Sequence, residues 1–280
     1  MWTKKNVINS LNWALAISSF VGTLLSLILI PKDFWWVGLI VFLSSFLLIW
    51  FILFLILRFK KRHKISSRGS IYIESRYGDI LDIKKNKRDK SKPIVVIPVN
   101  SAFDTVVEDD LSVVDRIIDG TSIHGQWLKK YACTPELANK LNEEISKFIS
   151  NKKLTPCKIL ENKRGNKNVY PLGTYVFIER DECTFLLFAL TDFDEHNKII
   201  KRDAETFVDL MKKLMDATSE CTNKKVYIPL MGTNIALFGF DELTSFRYIK
   251  NTALNKLSFL RASISIVIYE KSRDKVSLYD

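Results

Sequence analysis

Two long apolar runs near the start of the chain constrain its fold more than any other feature. Residues 11–30 and 34–57 each span about 20 residues or more and contain no acidic or basic side chain. A helix of roughly 20 apolar residues crosses the hydrocarbon core of a bilayer, which is about 30 Å thick. Only residues 31–33 separate the two runs, so both ends would lie on one side. The sequence therefore predicts a two-helix transmembrane hairpin within residues 1–58.

Basic residues lie on both flanks of this predicted hairpin. Two lysines precede the first run, and five Lys or Arg residues occupy positions 58–64 directly after the second, whereas the short connection is neutral. The positive-inside rule places such flanks in the cytosol. We therefore expect a multi-pass membrane protein in contact with lipid, with both termini cytosolic. Residues 59–70 are interpreted as a basic linker and residues 71–280 as a cytosolic domain.

The remaining charge and the cysteines exclude several classes of function. The four cysteines are widely spaced without a Cys-x-x-Cys pair, and the three histidines are scattered. This spacing indicates reduced thiols and no metal site. The basic stretch Lys84–Lys92 has no interleaved aromatic residue, which a surface that stacks on nucleic-acid bases needs. We interpret it as a solvated loop, with attraction to anionic lipid or nucleic acid as the alternative; since no stacking surface is indicated, we expect no nucleic-acid partner.

From residue 71 onward, patterns typical of strands alternate with patterns typical of helices. The helix signals include Thr134-Pro135-Glu136, where a capping residue precedes a proline at the first helical position. Alternating strands and helices predict an α/β sheet with helices on both faces. The strand patterns lie at 71–76, 93–99, 173–179, 185–191, 226–230 and 264–269, and further helical patterns at 204–215 and 243–257.

Four short motifs in this region carry small or polar residues that suit a ligand. YGDI ends the first predicted strand, and VNSAFD places an amide and small side chains just after a buried strand. SIHGQ precedes a helical pattern and could present backbone amides to an anion. PLMGTN ends a strand in a turn that could hold phosphate. Each motif alone equally fits an ordinary turn, strand end or helix entry.

The order of these motifs adds information, because ligands on α/β sheets bind at the carboxyl ends of strands. The series YGDI, VNSAFD, SIHGQ, YPLGT and PLMGT over about residues 71–269 resembles the macro domain, a module that binds ADP-ribose. Together with the apolar hairpin it is similar to the membrane-anchored macro effectors of the bacterial Thoeris anti-phage system. The resemblance implies a macro-domain-like mixed sheet behind a transmembrane hairpin, in the bacterial inner membrane.

The resemblance also implies roles for individual residues. Asp79 would contact the adenine amino group, and the loop Asn100–Asp104 would line the distal ribose. The amides of Ser122–Gly125 and Gly232–Asn234 would cradle the two phosphates. The implied ligand-binding residues are Asp79, Ile80, Asn100, Ser101, Ala102, Phe103, Asp104, Ser122, Ile123, His124, Gly125, Met231, Gly232, Thr233 and Asn234.

The family's biology gives the expected function. A TIR-domain partner would make an ADP-ribose-derived signal from NAD, and the macro domain would bind it without any cofactor or metal. Self-association and membrane disruption would then lead to abortive infection. Hydrolytic macro domains typically carry a second Asn three positions after the VN asparagine, where this chain has Phe103 and no following glycine run. We therefore expect no enzymatic activity; the alternatives are an anchored ADP-ribosyl hydrolase and a reader of ADP-ribosylated proteins.

Overall fold

A mixed seven-stranded β-sheet forms the centre of the molecule. The computed structural model describes residues 8, 11–20, 35–84, 91–110, 116–233 and 238–280. The helices are α1 (helical residues 11–20), α2 (Trp35–Phe59), α3 (Ile123–Tyr131), α4 (Pro135–Asn151), α5 (Ala204–Thr218) and α6 (Glu242–Lys256). The strands are β1 (Arg62–Arg68), β2 (Ile71–Tyr77), β3 (Ile94–Asn100), β4 (Lys158–Ile159), β5 (Asn168–Val169), β6 (Tyr175–Glu179), β7 (Thr184–Thr191), β8 (Lys225–Pro229) and β9 (Ser263–Ile268).

The strand order in the large sheet is β1-β2-β9-β8-β3-β7-β6. The strands from β2 to β7 in this order run parallel to one another, whereas β1 pairs antiparallel with β2 and β6 antiparallel with β7. Strands β4 and β5 form a separate antiparallel pair. The predicted α/β fold with a mixed sheet is confirmed.

Helices cover both faces of the sheet, as the apolar run of β3 predicts. In β3, Ile94 and Val96 belong to the core on the face covered by α5 and α6. Val95, Ile97 and Val99 belong to the core on the opposite face, with α3 and α4. Successive side chains of a strand point to opposite faces, so an uninterrupted apolar run fits a strand that is buried on both sides.

The predicted membrane location is wrong. None of the helices among the described residues combines the length and the apolar character needed to cross a membrane. Residues 21–34, which include the connection between the runs, lie outside the described residues. The multi-pass position in the bacterial inner membrane is therefore corrected, and the hairpin has no support.

The segment that we interpreted as a basic linker contains a strand. Strand β1 pairs with β2 along the edge of the sheet, with an irregular register between Lys64 and Ser66. Its sequence, RHKISSR, lacks the apolar alternation of an internal strand, because an edge strand needs only one backbone partner. Lysines and bulges are common on such edges, where they discourage further strand pairing. The basic stretch after β2 is described only in part, since residues 85–90 lie outside the described residues.

The start of α4 gives a test of how the sequence determines local structure. Thr134 is the N-cap, and its hydroxyl oxygen accepts a hydrogen bond from the backbone N–H of Leu137 at 3.3 Å. Replacing Thr134 by Ala should lower the free energy of unfolding by about 1 kcal/mol, because one helix-terminal N–H loses its partner. Thr134→Ser is the matched control, since it keeps the hydroxyl. Urea unfolding measures the difference, and equal stability of the two variants would contradict the capping role.

Candidate functional site

A cavity opens where strand β3 separates from its neighbour β8. The pairing of β3 with β8 is confined to Ile94 and Val95, whereas the pairing of β3 with β7 continues to Asn100. Pro98 lies in the separated part of β3 and has no N–H to donate to a neighbouring strand. The chain continues from β3 and from β8 toward opposite sides of the sheet, and such switch points are where α/β sheets bind ligands.

The cavity has a volume of about 570 Å³, which lies in the range of small-molecule and cofactor sites. Its walls come from the ends of β3, β7 and β8, from the start of α3 with the turn before it, and from the loop after β7. The lining residues are Pro98, Val99, Asn100, Arg116, Ile117, Ile118, Asp119, Thr121, Ser122, Ile123, His124, Leu190, Thr191, Phe193, Asn197, Ile199, Leu230, Met231, Gly232 and Thr233.

The start of α3 brings backbone amides to the cavity. Ser122 is the N-cap: its hydroxyl accepts from the N–H of Gly125 at 3.0 Å and donates to the carbonyl of Asp119 at 2.7 Å. A side chain at Gly125 would place its Cβ 2.2 Å from the Asp119 oxygen, so glycine lets this turn pack tightly against the helix. The N–H groups of Ile123 and His124 belong to the first turn, which lacks intrahelical acceptors. These two amides can therefore donate to a ligand.

The charged side chains Arg116 and Asp119 form an ion pair in the lining of the cavity. Arg116 Nη1 lies 3.3 Å from Asp119 Oδ2. Asp119 also accepts from the hydroxyl and the backbone N–H of Thr121, and these hydrogen bonds hold the pKa of its carboxyl below the ordinary range. Among the lining residues that the structure describes, Arg116 is the one that carries a positive charge. It can meet an anion directly, and the sequence motifs did not include it.

His124 is buried and lines the cavity. Burial disfavours the charged imidazolium and lowers the pKa of His124 to about 3. The ring is therefore neutral over the physiological pH range, so it can donate or accept a hydrogen bond without adding charge. With its pKa lowered this far, the ring is poorly suited to general acid catalysis near neutral pH.

The turn after β8 forms the opposite wall. Met231, Gly232 and Thr233 line the cavity, whereas Asn234 lies outside the described residues. Gly232 has a φ of +85°, and a Cβ there would lie 2.7 Å from a ring carbon of Phe207. Glycine is required both by this left-handed conformation and by the close approach of the core aromatic ring.

Asn100 reaches the cavity, but its amide is already engaged within its own loop. Its Nδ2 donates to Asp104 Oδ2 at 2.9 Å, and its Oδ1 accepts from the N–H of Asp104 at 3.1 Å. Asp104 also forms an ion pair with Lys163 at 2.6 Å, and both side chains are only 1% exposed. Burial raises the pKa of Asp104, while the nearby Lys163 ammonium opposes that change. The β3 turn is thus held by a buried network anchored in the β4–β5 connection.

Other residues of the predicted set lie away from the cavity. Phe103 has a φ of +51°, is 1% exposed, and packs edge-on against Tyr170 with ring centroids 6.0 Å apart. Asp79 caps the short 3₁₀ helix Ile80–Asp82 by accepting from the N–H of Leu81 at 2.8 Å. Of the predicted residues, the cavity gathers Asn100, Ser122, Ile123, His124, Met231, Gly232 and Thr233, while Asp79, Ile80, Ser101, Ala102, Phe103, Asp104 and Gly125 lie outside its lining.

The loop after β7 supplies lining residues that the motifs did not contain. Phe193, Asn197 and Ile199 all face the cavity. The segment Asp192–Asp194, directly after the strand pattern at 185–191, contains residues that are typical of turns. Nothing in the local pattern indicated which side chains of the loop would turn inward, because that depends on how the loop folds back on itself.

Fold and site together define a class: a ligand-binding α/β domain with its cavity at a switch point between parallel strands. The family model described as "Thoeris protein ThsA, Macro domain" matches residues 73–269, and the chain belongs to this family. The resemblance drawn from the motif order is therefore confirmed.

Solved structures with a similar fold include macrodomains from Oceanobacillus iheyensis. A mutant of that macrodomain, with ADPR, is 14% identical over 78% of this chain and 94% of that chain, with a TM-score of 0.48. The macrodomain with ADP is 14% identical over 78% of this chain and 92% of that chain, with a TM-score of 0.45. A search of the curated proteins found no match. Similarities this distant transfer no residue roles.

The ion pair beneath the β3 turn gives a stability test. Lys163→Met should lower the free energy of unfolding by roughly 3–5 kcal/mol, because it leaves the Asp104 carboxylate buried without its counter-charge. The double variant Lys163→Met/Asp104→Asn should recover part of that loss, since no charge is then buried. Urea unfolding of the three proteins measures both effects. A single variant as stable as the native protein would show that the pair does not hold this turn.

The buried His124 predicts a particular dependence of stability on pH. In the unfolded chain its pKa is near the ordinary value of 6.5, whereas in the folded protein it is about 3. Between these values the unfolded state binds more protons, so stability should fall as the pH is lowered from about 6.5 toward 3.

We expect this fall to be smaller in His124→Gln than in the native protein, as measured by urea unfolding at pH 7 and pH 5. His63, whose pKa burial also lowers, contributes equally to both proteins. The same change in stability between the two pH values in both proteins would contradict the neutral, buried state of His124.

Proposed function

We propose that the cavity binds an ADP-ribose-type nucleotide and that the protein is a receptor for such a ligand. The observation that carries this proposal is the meeting of three anion-binding elements in one space. These are the amino end of α3, the turn at Gly232, and the guanidinium of Arg116. Membership of the macro-domain family supports the same ligand class.

A diphosphate fits these elements chemically. Helix amino ends and turns with consecutive N–H groups bind phosphate through backbone amides. Arg116 adds a planar cation that can bond two phosphate oxygens at once. Asp119 would repel the anion, but it is tied to Arg116 and Thr121, so its charge is partly compensated. The adenine end would then lie toward β2, where Asp79 follows the strand, and the second ribose toward β3 and β7.

The local contacts favour binding of the ligand without turnover. Position 103 carries a phenylalanine whose ring is buried against Tyr170, so it brings no polar group to a water molecule in the cavity. The amide of Asn100 is held by Asp104 on both its donor and its acceptor side. His124 is neutral, and Asp119 is held below its ordinary pKa, which leaves no well-matched acid and base among the lining residues that the structure describes.

The family description, Thoeris protein ThsA, supports a role for such a receptor in anti-phage defence. In this proposal a TIR-domain partner supplies the nucleotide, ligand binding changes the self-association of the protein, and the response ends in abortive infection. A ligand can shift such an assembly only by its difference in affinity between the two states. Membrane disruption and lipid contact rested on the transmembrane hairpin and are not carried forward.

Calorimetry with ADP-ribose tests the proposal. The native protein should bind, and Arg116→Gln should lose roughly tenfold or more in affinity, as expected for a hydrogen bond to a charged group. Lys212→Gln is the matched control, because Lys212 is an exposed cation on α5 whose partner is Asp209. The control should bind as tightly as the native protein.

Chromatography of the ligand after prolonged incubation with the native protein separates a receptor from an enzyme. We expect ADP-ribose to be recovered unchanged. Continuous product formation would show that the protein is a hydrolase and not a receptor. Tight binding of an ADP-ribosylated protein combined with no binding of free ADP-ribose would instead favour a reader of modified proteins. If Arg116→Gln and the native protein bind ADP-ribose with equal affinity, Arg116 does not contact the diphosphate.

A further inference from the structure

The connection between β4 and β5 contacts the segment that carries the charged residues of the cavity. The guanidinium of Arg164, in this connection, donates from Nη1 and Nη2 to the two carboxylate oxygens of Glu108, at 2.9 and 3.0 Å. At the next position, a Cβ on Gly165 would lie only 3.1 Å from a side-chain carbon of Ile117. The connection is therefore packed closely against the described segment that begins at Arg116.

Glu108 in turn holds the main chain of the residues that follow Arg116. Its carboxylate oxygen Oε2 accepts from the N–H of Ile117 at 2.9 Å, and its own N–H donates to the carbonyl of Ile118 at 3.1 Å. The N–H of Ile117 belongs to the same planar peptide unit as the carbonyl of Arg116. A hydrogen bond to that N–H therefore fixes where the main chain of Arg116 lies.

This series of contacts ends at the charged lining of the cavity. Arg116 lines the cavity, and its guanidinium lies 3.3 Å from the carboxylate of Asp119. Arg164 is not among the described residues that line the cavity, and its side chain is half exposed. Arg164 can therefore affect a ligand through Glu108 and the main chain of Arg116 rather than by direct contact.

We propose that Arg164 is a positioning residue for the anion site: through Glu108 it holds the main chain of Arg116, so that the Arg116 guanidinium meets the diphosphate. This inference rests on the proposed ADP-ribose-type ligand of the same cavity. A guanidinium that is held in place before the ligand arrives loses less conformational freedom on binding, which raises the affinity. The bidentate contact of Arg164 suits this role, because two parallel hydrogen bonds fix orientation as well as distance.

Glu108 distinguishes positioning from a simple effect of charge. A carboxylate near an anion site repels the ligand, so on charge alone Glu108→Gln should strengthen the binding of ADP-ribose. Positioning predicts the opposite, because a glutamine offers a single acceptor oxygen to Arg164 and Ile117. Arg164→Lys gives a second distinction, since it keeps the positive charge but cannot reproduce the planar fork that bonds both carboxylate oxygens.

Calorimetry with ADP-ribose tests the inference. Arg164→Gln and Glu108→Gln should each bind roughly two- to fivefold more weakly than the native protein, the size expected for a partly exposed ion pair, and Arg164→Lys should also bind more weakly. Lys167→Gln is the matched control, because Lys167 is an exposed cation of the same connection whose partner is Glu161; it should bind as the native protein does. In an Arg116→Gln background, Arg164→Gln should cause no further loss, since the guanidinium that it positions is gone.

Each contrary outcome identifies what failed. If Glu108→Gln binds more tightly, or if Arg164→Lys binds as the native protein does, charge and not position explains the effect, and the inference is overturned. An equal loss from Arg164→Gln with and without Arg116 would show that Arg164 does not act through Arg116. If Arg164→Gln binds as tightly as the native protein while Arg116→Gln binds more weakly, only the role of Arg164 fails. If the native protein does not bind ADP-ribose, the proposed function itself fails, and this inference fails with it.

Discussion

The rest of the site depends on one constraint: the pairing of β3 with β8 ends after Val95. Two parallel strands that stayed paired to their carboxyl ends would leave no room between them. Here β3 follows β7 to Asn100 while β8 turns away through Gly232, and the space between the two is the cavity. Pro98 reinforces the separation, because it offers no donor to a neighbouring strand. The site is therefore a property of the sheet and not of a mobile surface loop.

A buried ion pair stabilises the turn that follows the separated end of β3. Asp104 joins Asn100, Lys163 and the backbone of Asn166, so the turn after β3 and the β4–β5 connection share one carboxylate. The Asn166 amide also donates to the carbonyls of Ala102 and Phe103. A polar network of this kind is favourable only when every member has a partner, which explains why the turn is so fully bonded internally. The same bonding keeps Phe103 in the core.

The elements that could be predicted from the sequence are those with local sequence signals. The apolar run of β3 predicted a strand buried on two faces, and Thr134 with Pro135 predicted the start of α4. The sequence did not predict β1, because an edge strand needs only a backbone partner and its side chains follow no apolar period. Lys163 meets Asp104 across 59 positions of sequence, so no local pattern could pair them. The strand ends marked the right segments for the site, but the inward turn of Asn197 and the burial of Phe103 depend on tertiary packing.

The burial of His124 has a consequence for how the charge of the cavity depends on pH. Among the described lining residues, the ionisable side chains are Arg116, Asp119 and His124. Arginine keeps its proton throughout the biological range, the Asp119 carboxyl has a lowered pKa, and His124 stays neutral down to a pKa of about 3. The charge of the described lining is therefore constant when the pH drifts by a unit or more around neutrality. If the cavity binds a nucleotide as proposed, mild acidification would leave the attraction between the described lining and the ligand unchanged.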